Sequence, residues 1–412
     1  MKKFVSILTV VIFSLALLPM LAPADAADMF IYGGDGGDSG ASGTHGKGGG
    51  GGAIVSADSR LGNTAGTPPK AGNDHLLVEG RKDSGYDGTG YTANSGTSTI
   101  AENASTGGHG GSADVSVASL IVTSLDIKGG IGGTDNADDG GDGGDASLAT
   151  TGNLTVNGEL FLEGGTAATA TTGAGGRAIL KVGGKLAVSK DILLTYTDED
   201  GVVSFDVKEL QVLRVTSLDW GGDELTSKEV KIPTLSLAAN SNFRPAASVD
   251  LKEVYGTNRI NVEGKSAKLT SVDLKMVSGD TLTFNLSGVA SGEKMLEVLG
   301  GSPVNIASAS VSLVSGVAPA SQDKHTKIIL IDNTGGSAIV SNDQKTLTIV
   351  SPDRSGRPVS FEYTITYTAN QMIAELTDIH RRGGGSSGCS AVGFAPFAIL
   401  LILGAATFGK RK

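Results

Sequence analysis

"DDGGDGGDASLATTGNLTV", Asp138 to Val156, is the stretch on which the fold turns. Gly140, Gly141, Gly143 and Gly144 bracket Asp142 and Asp145, and the chain then alternates apolar and polar residues through Leu148, Leu154 and Val156. Three readings compete for it: a calcium-binding turn, a phosphate-cradling loop, and the corner of a repeated β-fold.

The calcium reading has a second copy, "GGDGGDSGA" at Gly33 to Ala41, and both copies match the GGxGxD opening of the RTX nonapeptide. Asp35, Asp38, Asp142 and Asp145 would supply hard carboxylate oxygens for Ca²⁺. The motif fails at its eighth position, where a buried aliphatic is needed and Ser147 and Gly40 stand, and the chain has no tandem nonamers. The favoured reading is therefore glycine corners at positive φ that need no metal, and no cofactor is expected. A phosphate loop fares worse, because no glycine cluster runs into Lys-Ser or Lys-Thr.

The third reading gains from an imperfect repeat. A short apolar strand runs into a glycine pair, a polar excursion follows, and a second glycine cluster leads back into a strand. The copies are "MFIYGGDGG" returning at "GGGGGAIV", "HLLVEG" at "GGHGGSADVSVASLIV", "SLDIKGG" at "GGDGGDASLATTGNLTV", and "ELFLEGG" at "GAGGRAILKVGGKLAV". No helical period is sustained anywhere in the body, so the class is all-β. Units that bury their apolar faces only against neighbours make a β-solenoid, and residues 27–196 read as a Gly-rich one. A sandwich or barrel is the alternative, with Asn157-Gly158 then acting as a hairpin turn.

Composition shifts near Thr197, and residues 197–380 read as a second β region with more ordinary strand sequence. It closes with "KTLTIV", "PVSFEYTITYT" and "QMIAELTDI", which look like antiparallel neighbours. Val359, Phe361, Tyr363, Ile365 and Tyr367 share one face of the middle strand. These aromatics and Trp220 are expected in the core or on strand faces rather than in a ligand platform.

The two ends address the protein. "MKKFVSILTVVIFSLALLPMLAPADA" has Lys2 and Lys3 ahead of an apolar run and an A-x-A site at Ala24 to Ala26, so residues 1–26 read as a signal peptide. Residues 381–390 form a Gly/Ser linker, and residues 391–412 an apolar segment with a basic end, long enough to span a bilayer as a helix. The body between these ends carries 26 basic against 42 acidic residues, about −16, which excludes nucleic acid as a partner. The single cysteine, Cys389, lies in the linker, so no intramolecular disulfide can form.

"RRGGGSSGCSAVGFAPFAILLILGAATFGKRK", Arg381 to Lys412, resembles the Synergist-type C-terminal protein-sorting domain. That resemblance implies a diderm bacterial protein delivered to the envelope or surface, anchored at least transiently, with Gly388 and Cys389 as the processing site of a sorting protease. A plain tail anchor is the other reading of the same residues. Ser266 to about Gly336 is similar to coils near the end of autotransporter-like passenger domains, through "VDLKMVSGDTLTFNLSG" and "QDKHTKIILID". No transmembrane β-barrel sequence follows, so autotransport itself is not implied.

No catalytic constellation emerges. His45, His75, His109, His325 and His380 are scattered without metal-ligand spacing. Asp198, Glu199 and Asp200 read as an acidic turn, since glycosidase carboxylates must face each other from separate elements. The expectation is a non-enzymatic surface protein, structural or adhesin-like, meeting a host, cell-surface or glycan ligand. The alternative is a surface carbohydrate-active enzyme, a β-helix lyase or hydrolase, which only the architecture favours.

Overall fold

The computed structural model describes residues 28–33, 35, 52–56, 75–79, 109–133, 140–167, 174–195, 203–219, 228–317, 319–320, 322–353 and 357–381. The fold is all-β, with one five-residue helix, Leu251–Tyr255, among the described residues. Two long sheets carry it, one of thirteen strands and one of twelve, beside a short sheet of three.

The chain visits the sheets in turn. Ala113–Val117 lies in the twelve-stranded sheet, a corner strand Leu120–Val122 follows, and Leu125–Lys128 lies in the thirteen-stranded sheet. The next circuit repeats this as Ala146–Thr150, Leu154–Val156 and Leu160–Glu163, and the third as Ala178–Val188 and Ile192–Thr195. Each strand pairs in parallel with its counterpart one circuit on, so that Ala113, Ala146 and Ala178 stand side by side. Parallel circuits of this kind are consistent with the β-solenoid-like class expected from the repeats. Asn157-Gly158 turns a corner between two parallel-paired strands, not a hairpin.

Stacking of like on like builds the core. One column runs Leu120, Leu154, Leu186, Leu210, Leu235, Ile260, Leu282 and Val311, each on the neighbouring strand of the one before. All eight are buried, and each burial stabilises by roughly 1.5–3 kcal/mol. Alternation along most strands sends the other residues outward. Phe205, Phe243, Tyr255, Phe284, Phe361 and Tyr363 fill the interior, as expected for aromatics of this body. Trp220 lies outside the described residues.

Pairing runs unbroken across the composition shift at Thr197. Ala178–Val188 pairs with Val203–Val212, and Ile192 and Leu193 pair with Leu218 and Asp219. Near the start, Asp28–Tyr32 sits between His75–Glu79 and Leu125–Lys128, with Met29 and Ile31 buried. At the other end Thr346–Pro352, Pro358–Tyr367 and Gln371–Arg381 are antiparallel, and the last pairs antiparallel with Lys327–Asp332. Val359, Phe361, Tyr363 and Ile365 point inward on this terminal meander; Tyr367 is only partly buried and its hydroxyl donates to Asn342 Oδ1 at 2.6 Å.

The 1–26 and 391–412 segments lie outside the described residues, as do Gly388 and Cys389. Among the described residues no helix is long and apolar enough to cross a membrane.

Candidate functional site

The glycines of the opening stretch form a seam. Legs leaving the thirteen-stranded sheet at Gly129-Gly130 and Gly164-Gly165 interleave with legs entering the twelve-stranded sheet at Gly110-Gly111, Gly143-Gly144 and Gly176. The N–H of Gly130 donates to the Gly111 carbonyl, that of Gly144 to Gly130, of Gly165 to Gly144 and of Gly176 to Gly165, each at 2.8 Å. A Cβ on Gly144 would sit 2.1 Å from the Gly111 carbonyl oxygen, and one on Gly129 only 1.7 Å from that of Gly144. None of the described seam glycines has positive φ, so the sequence expectation is corrected: close approach of backbones, not a left-handed turn, excludes a side chain here.

The carboxylates of the seam serve the next circuit. Asp142 Oδ1 accepts the Ala174 N–H at 2.7 Å, and Asp35 Oδ1 accepts the Ile131 N–H at 3.0 Å. Asp145 accepts the Arg177 N–H at 2.8 Å through Oδ1, while its Oδ2 takes Nε and Nη2 of the same residue at 3.1 and 2.6 Å. That bond is the first cause holding the Arg177 guanidinium above its usual range. Ser147, which broke the calcium motif, donates to Asp114 on the outer face. The oxygens offered for calcium thus meet donors of the chain itself. Asp38 lies outside the described residues, and among the described residues no group of three His, Cys, Asp or Glu is placed to hold a metal ion.

Three histidines are exposed, each beside a carboxylate. His109 Nδ1 accepts the Asp142 N–H at 3.0 Å, which places the proton of the neutral ring on Nε2, so the Asp142 carboxylate 3.2 Å away makes no ion pair in that state. His325 Nδ1 lies 2.9 Å from Glu375, and His380 Nε2 lies 3.6 Å from Glu362 and 3.5 Å from Asp378. These three pairs, with Lys324 and Lys327, make a charged outer face on the terminal meander. Hydrogen bonds from His325 and Lys324 respectively hold Glu375 and Asp378 below the usual carboxylate range. The side chain of His75 is not described; His45 and the Asp198 to Asp200 turn lie outside the described residues.

One surface went unread in the sequence. Outward positions of Asp28–Tyr32, Leu125–Lys128 and Leu160–Glu163 carry Phe30, Asp126 and Phe161 in one column, and Tyr32, Lys128 and Glu163 in the next. All six are half-buried. The Phe30 and Tyr32 rings meet edge to face at 6.4 Å. Lys128 Nζ lies 4.7 Å from the Phe161 centroid, 6.0 Å from that of Tyr32, and 3.3 Å from Glu163. Tyr32 Oη donates to Asp126 Oδ2 at 2.8 Å, while Asp126 Oδ1 is enclosed with no partner among the described residues. Burial pushes the Asp126 carboxyl up, against the lowering effects of Tyr32 and Lys128.

Ring faces beside a carboxyl and an amine suit a ligand with flat apolar patches and hydroxyls. Aligning "FIY", "DIK" and "FLE" in the repeats would have exposed the pattern, because the buried Ile31, Ile127 and Leu162 leave their flanking residues outward. Compared with known protein families, curated proteins and solved structures, the chain matches none of them.

Proposed function

We propose that this is an exported, non-catalytic surface protein of structural or adhesin-like role, whose Gly-rich β-solenoid body binds a glycan on its outer face. The observation carrying this reading is the patch of Phe30, Tyr32 and Phe161 with Asp126, Lys128 and Glu163. Aromatic rings stack on the apolar faces of sugars and the charged groups bond their hydroxyls. The tail supports envelope localisation in a diderm bacterium, with the membrane as partner of residues 391–412 and a sorting protease acting at Gly388 and Cys389. Intact mass of the native protein separates processing near Cys389 from a plain anchor reaching Lys412.

Screening the full-length protein in detergent against glycans tests the ligand. Tyr32→Ala and Phe161→Ala are expected to lower glycan affinity at least tenfold, about 1.4 kcal/mol, with the fold intact by circular dichroism. Undiminished binding by both variants would overturn the patch assignment.

Asp126, whose Oδ1 is enclosed with no partner among the described residues and whose carboxyl is raised by burial, favours a second reading, a carbohydrate-active enzyme acting through Asp126. New reducing or unsaturated sugar ends, lost in Asp126→Asn, would establish it over the adhesin.

A further inference from the structure

The aromatic patch is part of a longer pair of rows. Phe30, Asp126, Phe161 and Leu193 are successive register partners on Asp28–Tyr32, Leu125–Lys128, Leu160–Glu163 and Ile192–Thr195. Tyr32, Lys128, Glu163 and Thr195 are the partners two residues further along the same strands. Both rows lie on the outer face, because Ile31, Ile127, Leu162 and Leu194 between them are buried. Neighbouring strands stand about 4.8 Å apart, so each row runs for about 14 Å along the stack. The exposed Asp219 follows Leu193 in register and ends the first row.

The rows differ in kind. The first offers apolar groups at Phe30, Phe161 and Leu193, with Asp126 between the two rings, whereas the second carries a polar group at every position. Along a single strand no flat platform forms, since the Phe30 and Tyr32 rings are inclined by 60° and meet edge to face. A ligand with flat faces is therefore accommodated along the stack. Lys128 Nζ stands between the rows, 4.7 Å from the Phe161 centroid and 3.3 Å from Glu163, where it can donate to a hydroxyl of a sugar seated at Phe161. An extended sugar chain presents apolar ring faces on one side and hydroxyls along its edge, and advances by roughly one strand spacing per residue. Charge narrows the class further. The body carries 42 acidic against 26 basic residues and the patch two carboxylates against one amine, so a polyanionic chain is repelled.

We propose that the two rows form one binding track for a neutral, linear, extended polysaccharide of the kind represented by cello- and chito-oligosaccharides. The chain lies along the stack, with sugars at Phe30, Phe161 and Leu193 and its edge hydroxyls toward Tyr32, Lys128, Glu163 and Thr195. The sugar between the two rings passes over Asp126. This rests on the glycan reading of the patch and adds to it the direction, charge and length of the chain. Four stations, from Phe30 to Leu193, set that length.

The test titrates cello- and chito-oligosaccharides of one to six residues into the full-length protein, held in a non-glycosidic detergent, with oligogalacturonates as the acidic series. Calorimetric affinity is expected to rise at least about tenfold from one residue to four, and to change less than about twofold from four to six. Leu193→Thr removes the last apolar station, and should abolish the gain between three residues and four without altering disaccharide affinity. Phe30→Ala removes the first, and should level the curve about two residues earlier; it carries the test if Leu193→Thr alters the circular dichroism. Affinity independent of length, tighter binding of oligogalacturonates, or binding confined to branched glycans would overturn the track and leave the patch a glycan site. Absence of binding to any glycan would remove the glycan reading and the track together.

Discussion

Glycine does two different jobs in the two halves of this molecule. Between Gly33 and Gly176 the described seam glycines have ordinary φ, and a side chain on most of them would strike a neighbouring carbonyl oxygen. From Gly256 to Gly335 eight glycines have positive φ, and at Gly256, Gly279, Gly288, Gly292 and Gly335 a Cβ would meet nothing within 4 Å. The third side of the body changes accordingly. In the first half backbone lies on backbone, whereas in the second the short strands Val249–Asp250, Val272–Lys275 and Val304–Asn305 close it, with Leu251, Tyr255, Leu274 and Val304 buried. A polar, side-chain-free seam leaves little to pack, so hydrogen bonds and carboxylates join the circuits there.

That contrast sets the largest expected difference. Gly144→Ala should cost about 4 kcal/mol or prevent folding, since the backbone at Gly111 and Gly130 would have to move, whereas Gly288→Ala should cost only about 1–2 kcal/mol of left-handed strain. Denaturant unfolding of the two variants checks it, and similar losses would dissolve the distinction between the halves.

Leu186→Ala and Leu282→Ala probe the column the halves share. Both residues are fully buried, and each truncation should cost about 3 kcal/mol. Pairing that continues across Thr197 predicts one cooperative transition for both variants. A first-half transition left unmoved by Leu282→Ala would show separate folding units.

Two carboxylates, one in each half, should answer pH with opposite sign. Burial raises Asp332, but Lys294, Thr334 and Gln371 outweigh it and leave the carboxyl below its usual 3.8. A depressed folded value contributes stability above the unfolded value, lost as pH falls through the folded one. The melting deficit of Asp332→Asn should therefore shrink below about pH 4. Asp126 is raised chiefly by burial, so its contribution is present below 3.8 and lost as pH rises through the folded value. Asp126→Asn should melt no lower than the parent at neutral pH, and any advantage should vanish in acid.

The smallest effect belongs to Arg177→Ala. Its ion pair with Asp145 has the arginine more than half exposed, so a loss of about 0.5–1 kcal/mol is expected, diminishing in high salt. Chelation by EDTA should leave the melting temperature unchanged, because Arg177 and the Ala174 N–H already occupy Asp145 and Asp142.

Much of the fold was legible in residue order. "HGGSA", "DGGDA" and "AGGRA" stand side by side in successive circuits, and the repeat placed them so. The terminal antiparallel strands followed from period-two burial at Val359 to Ile365. Hidden from view was what each glycine is for, since a lone letter does not distinguish a positive φ from a close approach. The patch was hidden too: Phe30, Asp126 and Phe161 lie far apart in sequence and become a column only through register.

By itself the sequence determined the all-β class, the repeating circuit and its apolar columns, because alternation and glycine pairs are local signals that each strand carries alone. The tertiary structure decided that Gly111, Gly130, Gly144, Gly165 and Gly176 hydrogen-bond in one interleaved row, that Asp145 reaches Arg177, and that Thr346–Pro352 ends a sheet. Those are facts of which backbone lies beside which, and excursions of variable length between the strands remove that information from the order of residues.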